Sequence, residues 1–422
     1  MMLLFLHAQQ ITRLEFEGSH YWEVMRRFAE ANPGLLPLLR TLAVSAYGTN
    51  GSNWQPFIVT PPPNPLFADA VNVEEFIFNS IKFQFLNHFV FPNLTTFNLS
   101  TGKVDRSRAL DLFDFLRASP LLRTVEIHTI NGIALEDIPQ DMVVILPNVE
   151  TFGLISSGKN VYEIAVHISC PRARDVSLTC EMSDPDVSAD SWEIFPTPVL
   201  WNTIIHQYTR SQVEEVALEV QPFYDPCSLT FRSADVSIMR LDFELLPIRD
   251  KREEFEVDFE GIVSEVFTQG FNTIRAHPLL SSIKRLRIRS LDLDLNGFQM
   301  LLTATEVGRL FESVGPLDEL TIGGCELYPC LVAFGELGDL WMPVTFHPIK
   351  ALTILHPMIE RNHEEQCMNA VVGLAKSRHV RGMPFERVTF RAKRLPATMA
   401  ERLMQWVGVV DCREEYPPAE DR

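Results

Sequence analysis

Arginine stands at alternate positions 285, 287 and 289, and again at 387 and 391 on either side of Thr389. A guanidinium presents donors in a rigid fork and has no acceptor, so it can hold both oxygens of a carboxylate or phosphate at once. The alternate spacing matters because successive side chains of a strand point to opposite faces, which puts each set along one face. Acidic residues recur with the same spacing: Glu15 and Glu17, Glu126, Glu215 and Glu219, Asp242 and Glu244. On a common sheet face these rows run from acidic near the N-terminal end to basic near the C-terminal end. Two roles compete for them. The arginines bind an acidic or phosphorylated segment of a partner, or they close cross-strand ion pairs with neighbouring rows. In parallel succession Asp242 neighbours Arg287 and Glu244 neighbours Arg289, so ion pairing weighs more for that row. The Arg387 and Arg391 row has only Ala351, Thr353 and Leu355 in the preceding run, and there the two roles weigh about equally. The candidate partner-binding set is Arg285, Arg287, Arg289, Arg387, Arg391, Glu215, Glu219, Asp242 and Glu244.

Other groupings are weaker. Asp292, Asp294, Asn296 and Gly297 match the opening of a calcium-binding EF-hand loop, but its twelfth position is Thr303 where a bidentate glutamate is needed. A strand-to-helix turn explains them better. His356, His363, Glu364, Glu365 and Cys367 lie close together, yet no second pair of zinc ligands accompanies them. Polar residues at a helix start account for the cluster. The chain contains no G-x-S-x-G, G-x-x-x-x-G-K-[ST] or G-x-G-x-x-G sequence. Gly153 to Gly158 and the Gly323–Gly324 pair read as turn features. Neither a metal, a cofactor nor catalysis is expected. The remaining enzymatic reading is a site assembled from distant segments.

The elements that must position these residues are thirteen short runs in which apolar residues alternate. They centre on Leu14, Leu42, Phe76, Phe97, Val125, Phe152, Val176, Val216, Leu241, Leu286, Leu320, Leu352 and Val388. Proline stands five residues ahead at Pro37, Pro92, Pro120, Pro147 and Pro171, and four ahead at Pro316, Pro348 and Pro384. Helical spacing precedes some of them, as in Ala109, Leu112, Phe113 and Leu116, and in Val307, Leu310, Phe311 and Val314. Proline cannot continue a helix and pushes its predecessor to extended geometry, so the unit reads helix, proline stop, strand, return. Strands joined by such crossovers lie parallel. Internal repetition of this kind points to a solenoid.

Five of the runs read L-x-x-L-x-L: Leu94–Phe97–Leu99, Leu122–Val125–Ile127, Ile283–Leu286–Ile288, Leu317–Leu320–Ile322 and Ile349–Leu352–Ile354. In this the chain resembles the leucine-rich repeats, and most closely the long, irregular repeat region of fungal F-box proteins, over roughly residues 11 to 412. The resemblance implies an α/β solenoid with parallel strands on the concave face and helices on the convex face. It also implies the substrate-receptor arm of a cullin–RING ubiquitin ligase. The family's asparagine or cysteine after the last apolar position appears only as Cys325, against Gly102, Ser157 or Glu181 elsewhere. Turn stacking is therefore expected from side-chain packing and not from an asparagine ladder. The first strand begins near Ile11 and leaves no room for the helical F-box. The ligase adaptor is thus a partner only if that module lies upstream of Met1. The alternative is a stand-alone scaffold or binding protein unrelated to ubiquitination.

Composition bounds the rest. The 422 residues carry 37 Lys+Arg against 55 Asp+Glu, a net charge of −18, which repels nucleic acid and anionic membranes as partners. Seven scattered cysteines without a CxxC pair favour reduced thiols in an intracellular protein, cytoplasmic or nuclear. Met1 to Leu6 is apolar but too short for a signal peptide. The Asn50, Asn93 and Asn98 N-x-Ser/Thr triplets are read as chance. One array is expected over 1–412, with loop insertions at 47–65 and 181–198 and a disordered tail at 413–422.

Overall fold

All thirteen run centres lie on β-strands in the computed structural model. It describes residues 8–17, 21–31, 36–45, 67, 70–79, 83–101, 107–129, 133–134, 138–139, 141–157, 160–181, 203–204, 207–208, 213–220, 227–233, 238–244, 281–290, 311, 313–323, 348–355, 361–391 and 397–413. Contacts divide the chain into two units, Met1–Pro185 with Trp192–Arg210, and Asp186–Ser191 with Ser211–Arg422. Both are mixed α/β with mainly parallel strands.

The first unit contains β1 (Arg13–Glu17), β2 (Thr41–Ser45), β3 (Glu75–Asn79), β4 (Thr96–Thr101), β5 (Ser107–Arg108), β6 (Thr124–Thr129), β7 (Ile133–Ala134), β8 (Val144–Ile145), β9 (Thr151–Ser157), β10 (Ile168–Ser169) and β11 (Asp175–Glu181). The order β1-β2-β3-β4-β6-β9-β11 makes a sheet parallel throughout, and the two-residue strands pair as β5 with β7 and β8 with β10. Leu14, Leu42, Phe76, Phe97, Val125, Phe152 and Val176 fall in one continuous cross-strand row, all buried. One-residue slippage would turn every member of that row to the other face, so burial fixes the register. The Phe76 ring lies 4.8 to 6.0 Å from the rings of Phe78, Phe89, Phe91, Phe97 and Phe115.

Helices α1 (Tyr21–Ala31), α2 (Ala109–Arg117) and α3 (Asn160–Ala165) belong to this unit. Ala109, Leu112, Phe113 and Leu116 of α2 are buried together, as one helical face requires. Pro120 and Pro171 then stand between α2 and β6 and between α3 and β11, so the helix–proline–strand order holds at both. The turns are tied by hydrogen bonds, which corrects the expectation of packing alone. Asn72, Asn93 and Asn148, each four residues before a row position, donate Nδ2 to the carbonyls of Pro37, Val71 and Pro120 at 2.6, 2.8 and 3.0 Å. Each acceptor lies in the turn before the preceding strand of the main sheet. Backbone bonds repeat beside them: Arg40 O accepts from the N–H groups of Glu74 and Glu75, and Arg123 O from those of Glu150 and Thr151, at 2.8 to 3.1 Å.

The second unit contains β12 (Val213–Val220), β13 (Cys227–Ser233), β14 (Ile238–Glu244), β15 (Arg285–Ser290), β16 (Leu317–Gly323), β17 (Ile349–Leu355), β18 (Arg387–Arg391) and β19 (Val409–Arg413), in the order β14-β13-β12-β15-β16-β17-β18-β19. Val216, Leu286, Leu320, Leu352 and Val388 form its row, which continues to Val410. Here the expected direct succession of runs is corrected. β13 pairs antiparallel with both β12 and β14, so Leu241 lies opposite Leu229 and not beside Val216 or Leu286.

Helices α4 (Arg361–Val380) and α5 (Ala397–Met404) complete the described elements of this unit. Arg378 of α4 is buried, donates Nη2 to Ile349 O at 3.0 Å, and lies 4.5 Å from the Phe385 ring. Burial lowers its pKa to about 10, so it remains charged at neutral pH. Among the described residues no helix is long and apolar enough to cross a membrane. The insertion at 47–65, residues 182–198, the 292–297 segment, His356, Val307, Leu310 and the tail beyond 413 lie outside the described residues. Glu181 and Arg413, assigned by sequence to an insertion and to the tail, are the last residues of β11 and β19.

Candidate functional site

β15 turns Leu286 and Ile288 inward and leaves Arg285 and Arg287 on the open face. Its neighbours are β12 and β16, so Arg285 stands between Glu215 and Glu319, and Arg289 opposite Glu219. The Asp242–Arg287 and Glu244–Arg289 neighbours expected from sequence do not occur, because β13 and β12 lie between β14 and β15. Ion pairing nevertheless takes place, with a different acid. Glu215, 5% exposed, meets Arg285 Nε at 3.4 Å and Arg287 Nη2 at 3.6 Å, and Glu214 lies 3.7 Å from Arg285 Nη2. A carboxylate this buried is tolerated because two guanidinium groups face it. Arg285, Arg287 and Glu215 therefore hold β12 to β15. The side chains of Glu219, Asp242, Glu244 and Arg289 lie outside the described residues.

Arg387 and Arg391 differ. Both are exposed on β18, opposite Ala351 and Leu355 of β17 on one side and Val409 and Arg413 of β19 on the other. Neither forms an ion pair among the described residues. The nearby carboxylate of Asp411 accepts instead from Arg413 Nε at 2.7 Å. Two positions four residues apart on a strand are separated by roughly 13 Å, so the two forks would grip separate acidic groups along an extended segment.

The first unit carries a feature that no motif announced. On its open face a hollow of about 490 Å³ is lined by Asn79, Asn98, Ser100, Glu126, His128, Thr151, Gly153, Asp175 and Ser177, with Leu99, Ile127, Phe152 and Ile155 completing the wall. Cross-strand register builds it: Asn98, Glu126, Gly153 and Ser177 fall in one row across β4, β6, β9 and β11, and Ser100, His128 and Ile155 in the next. Gly153 lacks the side chain that would fill the middle. A Cβ there would meet Glu126 Cγ at 3.6 Å, an ordinary contact, so the space is open and not pinched. Asn79 donates Nδ2 to Ser45 Oγ at 3.3 Å, which leaves its oxygen as an acceptor. Asn98 Oδ1 has no hydrogen-bond partner. The lining thus presents two carboxylates and the Asn79 amide oxygen beside His128 and the hydroxyls of Ser100, Thr151 and Ser177, and it has no lysine or arginine. The sequence pattern held one signal for it: Gly153 occupies the open-face position where the preceding strand of the sheet places Glu126.

Among the described residues no group of three or more His, Cys, Asp or Glu is placed to hold a metal ion. His363, Glu364, Glu365 and Cys367 lie on α4 with side chains outside the described residues. No protein-family model matches the chain, and comparison with curated proteins finds no match.

Proposed function

We propose that this chain is a non-catalytic protein-recognition module, a solenoid of irregular repeats that uses the open strand face as its binding surface. Its ligand at β18 is an acidic or phosphorylated segment held by Arg387 and Arg391. The observation that carries this is the contrast between arginines. Arg285, Arg287 and Arg413 are engaged with carboxylates, while Arg387 and Arg391 are exposed and carry no ion pair among the described residues. The resemblance to F-box repeat regions gives this role a specific form, the substrate-receptor portion of a cullin–RING ubiquitin ligase.

The test is retention of a degenerate acidic and phosphoserine peptide library by immobilised protein. The Arg387→Glu/Arg391→Glu double variant should retain roughly tenfold less, since two attractive charges facing the acidic ligand become two repulsive ones. Both side chains are exposed, so circular dichroism and melting should be unchanged. Equal retention by the folded double variant removes this site. Capture of the ligase adaptor by the chain tests the ligase role separately, and failure to capture it leaves the recognition reading to stand on the arginines.

A further inference from the structure

We infer that the hollow over β3, β4, β6, β9 and β11 is a second recognition site, which receives an arginine- or lysine-bearing segment of a protein partner. The inference extends the recognition reading to a surface of opposite charge. Three observations support it. The hollow presents the Glu126 and Asp175 carboxylates with no lysine or arginine among its lining residues. The amide oxygen of Asn79, whose Nδ2 is engaged with Ser45, is an acceptor too. Two carboxylates with no lysine or arginine beside them favour a cationic group that only donates, and ammonium and guanidinium are the side chains of that kind. Finally, the hollow is open to one side, and its volume of about 490 Å³ exceeds one side chain. A cationic side chain together with a stretch of its backbone fits that space.

The surrounding face has the same sign. Glu15, Glu17 and Glu75 stand at open-face positions of β1 and β3, against Arg13 alone among the described residues of those strands. Arg13 lies 3.8 Å from Glu15, which offsets one of these acids. A segment lying across the strands with several basic residues would meet carboxylates in succession. Gly153 admits it: a large side chain there would occupy the centre of the hollow.

Selection of short random displayed peptides on the full chain tests this, with three variants in parallel. On the wild type, selected peptides should be enriched in arginine and lysine. Glu126→Gln/Asp175→Asn, which keeps shape and removes charge, should lower binding of those peptides by roughly tenfold. Gly153→Leu, which keeps charge and fills the space, should abolish it. Arg387→Glu/Arg391→Glu should leave it unchanged, so failure of the acidic-ligand site and failure of this one are told apart. No cationic enrichment, or equal binding to the folded Glu126→Gln/Asp175→Asn variant, overturns the proposal. Displacement of the peptides by free arginine at equal molar concentration also overturns it, because the site would then serve a small cation and not a protein segment.

Discussion

Gly315 occupies a place with no room for a side chain. A Cβ there would lie 2.9 Å from the carbonyl carbon of Ser281 and closer still to its oxygen. Both atoms are backbone, so neither can rotate away. Gly315→Ala should cost roughly 1–3 kcal/mol by overpacking, read as a lower denaturant midpoint; an unchanged midpoint means that the turn shifts freely. Cysteines separate by a different property. Cys170 and Cys180 are buried, and burial pushes the Cys170 thiol well above its ordinary pKa, while Cys412 is exposed. Thiolate is the reactive form, so iodoacetamide at neutral pH should label Cys412 in the native protein and reach Cys170 and Cys180 only after denaturation. Peptide mass mapping reads this directly, and native labelling of Cys170 would mean that the α3–β11 segment opens readily.

At the scale of elements, the strands of the first unit are secured by unequal contributions. Phe76 touches five other rings within 6.0 Å and is fully buried, so Phe76→Ala should cost about 3–5 kcal/mol. Asn148→Ala removes two exposed side-chain bonds, one donated to Pro120 O and one accepted from Arg172 Nη1, and should cost about 0.5–1.5 kcal/mol. Chemical denaturation of both variants checks the ratio; equal losses would mean that turn tying matters as much as the core. The sequence revealed these strands because a period of two with buried centres leaves no other register, and every run centre lies on one. It hid β13 and β19 although Leu229–Phe231 and Val410–Cys412 carry the same apolar alternation, because neither has a proline four or five residues ahead. Missing β13 misassigned the acid that pairs with the arginines. A further column was present in the sequence and needed only the aligned rows to be read. Two residues before Val216, Leu286, Leu320, Leu352 and Val388 stand Glu214, Lys284, Asp318, Lys350 and Glu386, in alternating sign. Lys350 Nζ reaches Asp318 Oδ1 at 2.5 Å, and their mutual contact lowers the Asp318 pKa and raises that of Lys350. Exposed pairs of this kind add little stability. They discriminate neighbours, since β15 beside β17 would set Lys284 against Lys350. The hollow stayed hidden because its chemistry lies in the absence of a side chain at Gly153 and in residues that only the sheet brings together.

Across the whole molecule the net charge of −18 acts on both proposed ligands, with opposite sign. At low ionic strength, about 0.01 M, charges are felt over about 30 Å, so an approaching peptide meets the field of the whole chain. At about 0.15 M that range shrinks to about 8 Å, and only the residues near the docking site count. A cationic peptide bound for the hollow is attracted by the chain as a whole and by Glu126 and Asp175 locally. Its association rate should fall steeply as salt is added. An acidic peptide bound for Arg387 and Arg391 is attracted by those two side chains but repelled by the excess of carboxylates elsewhere. Salt screens the repulsion first because it comes from farther away, so this rate should rise, or hold level, over the same range. Stopped-flow fluorescence with one labelled peptide of each kind measures both slopes on the same protein. If the acidic peptide slows with salt as steeply as the cationic one, the arginines of β18 dominate the field out to long range. The excess of acid would then have no part in choosing what reaches them.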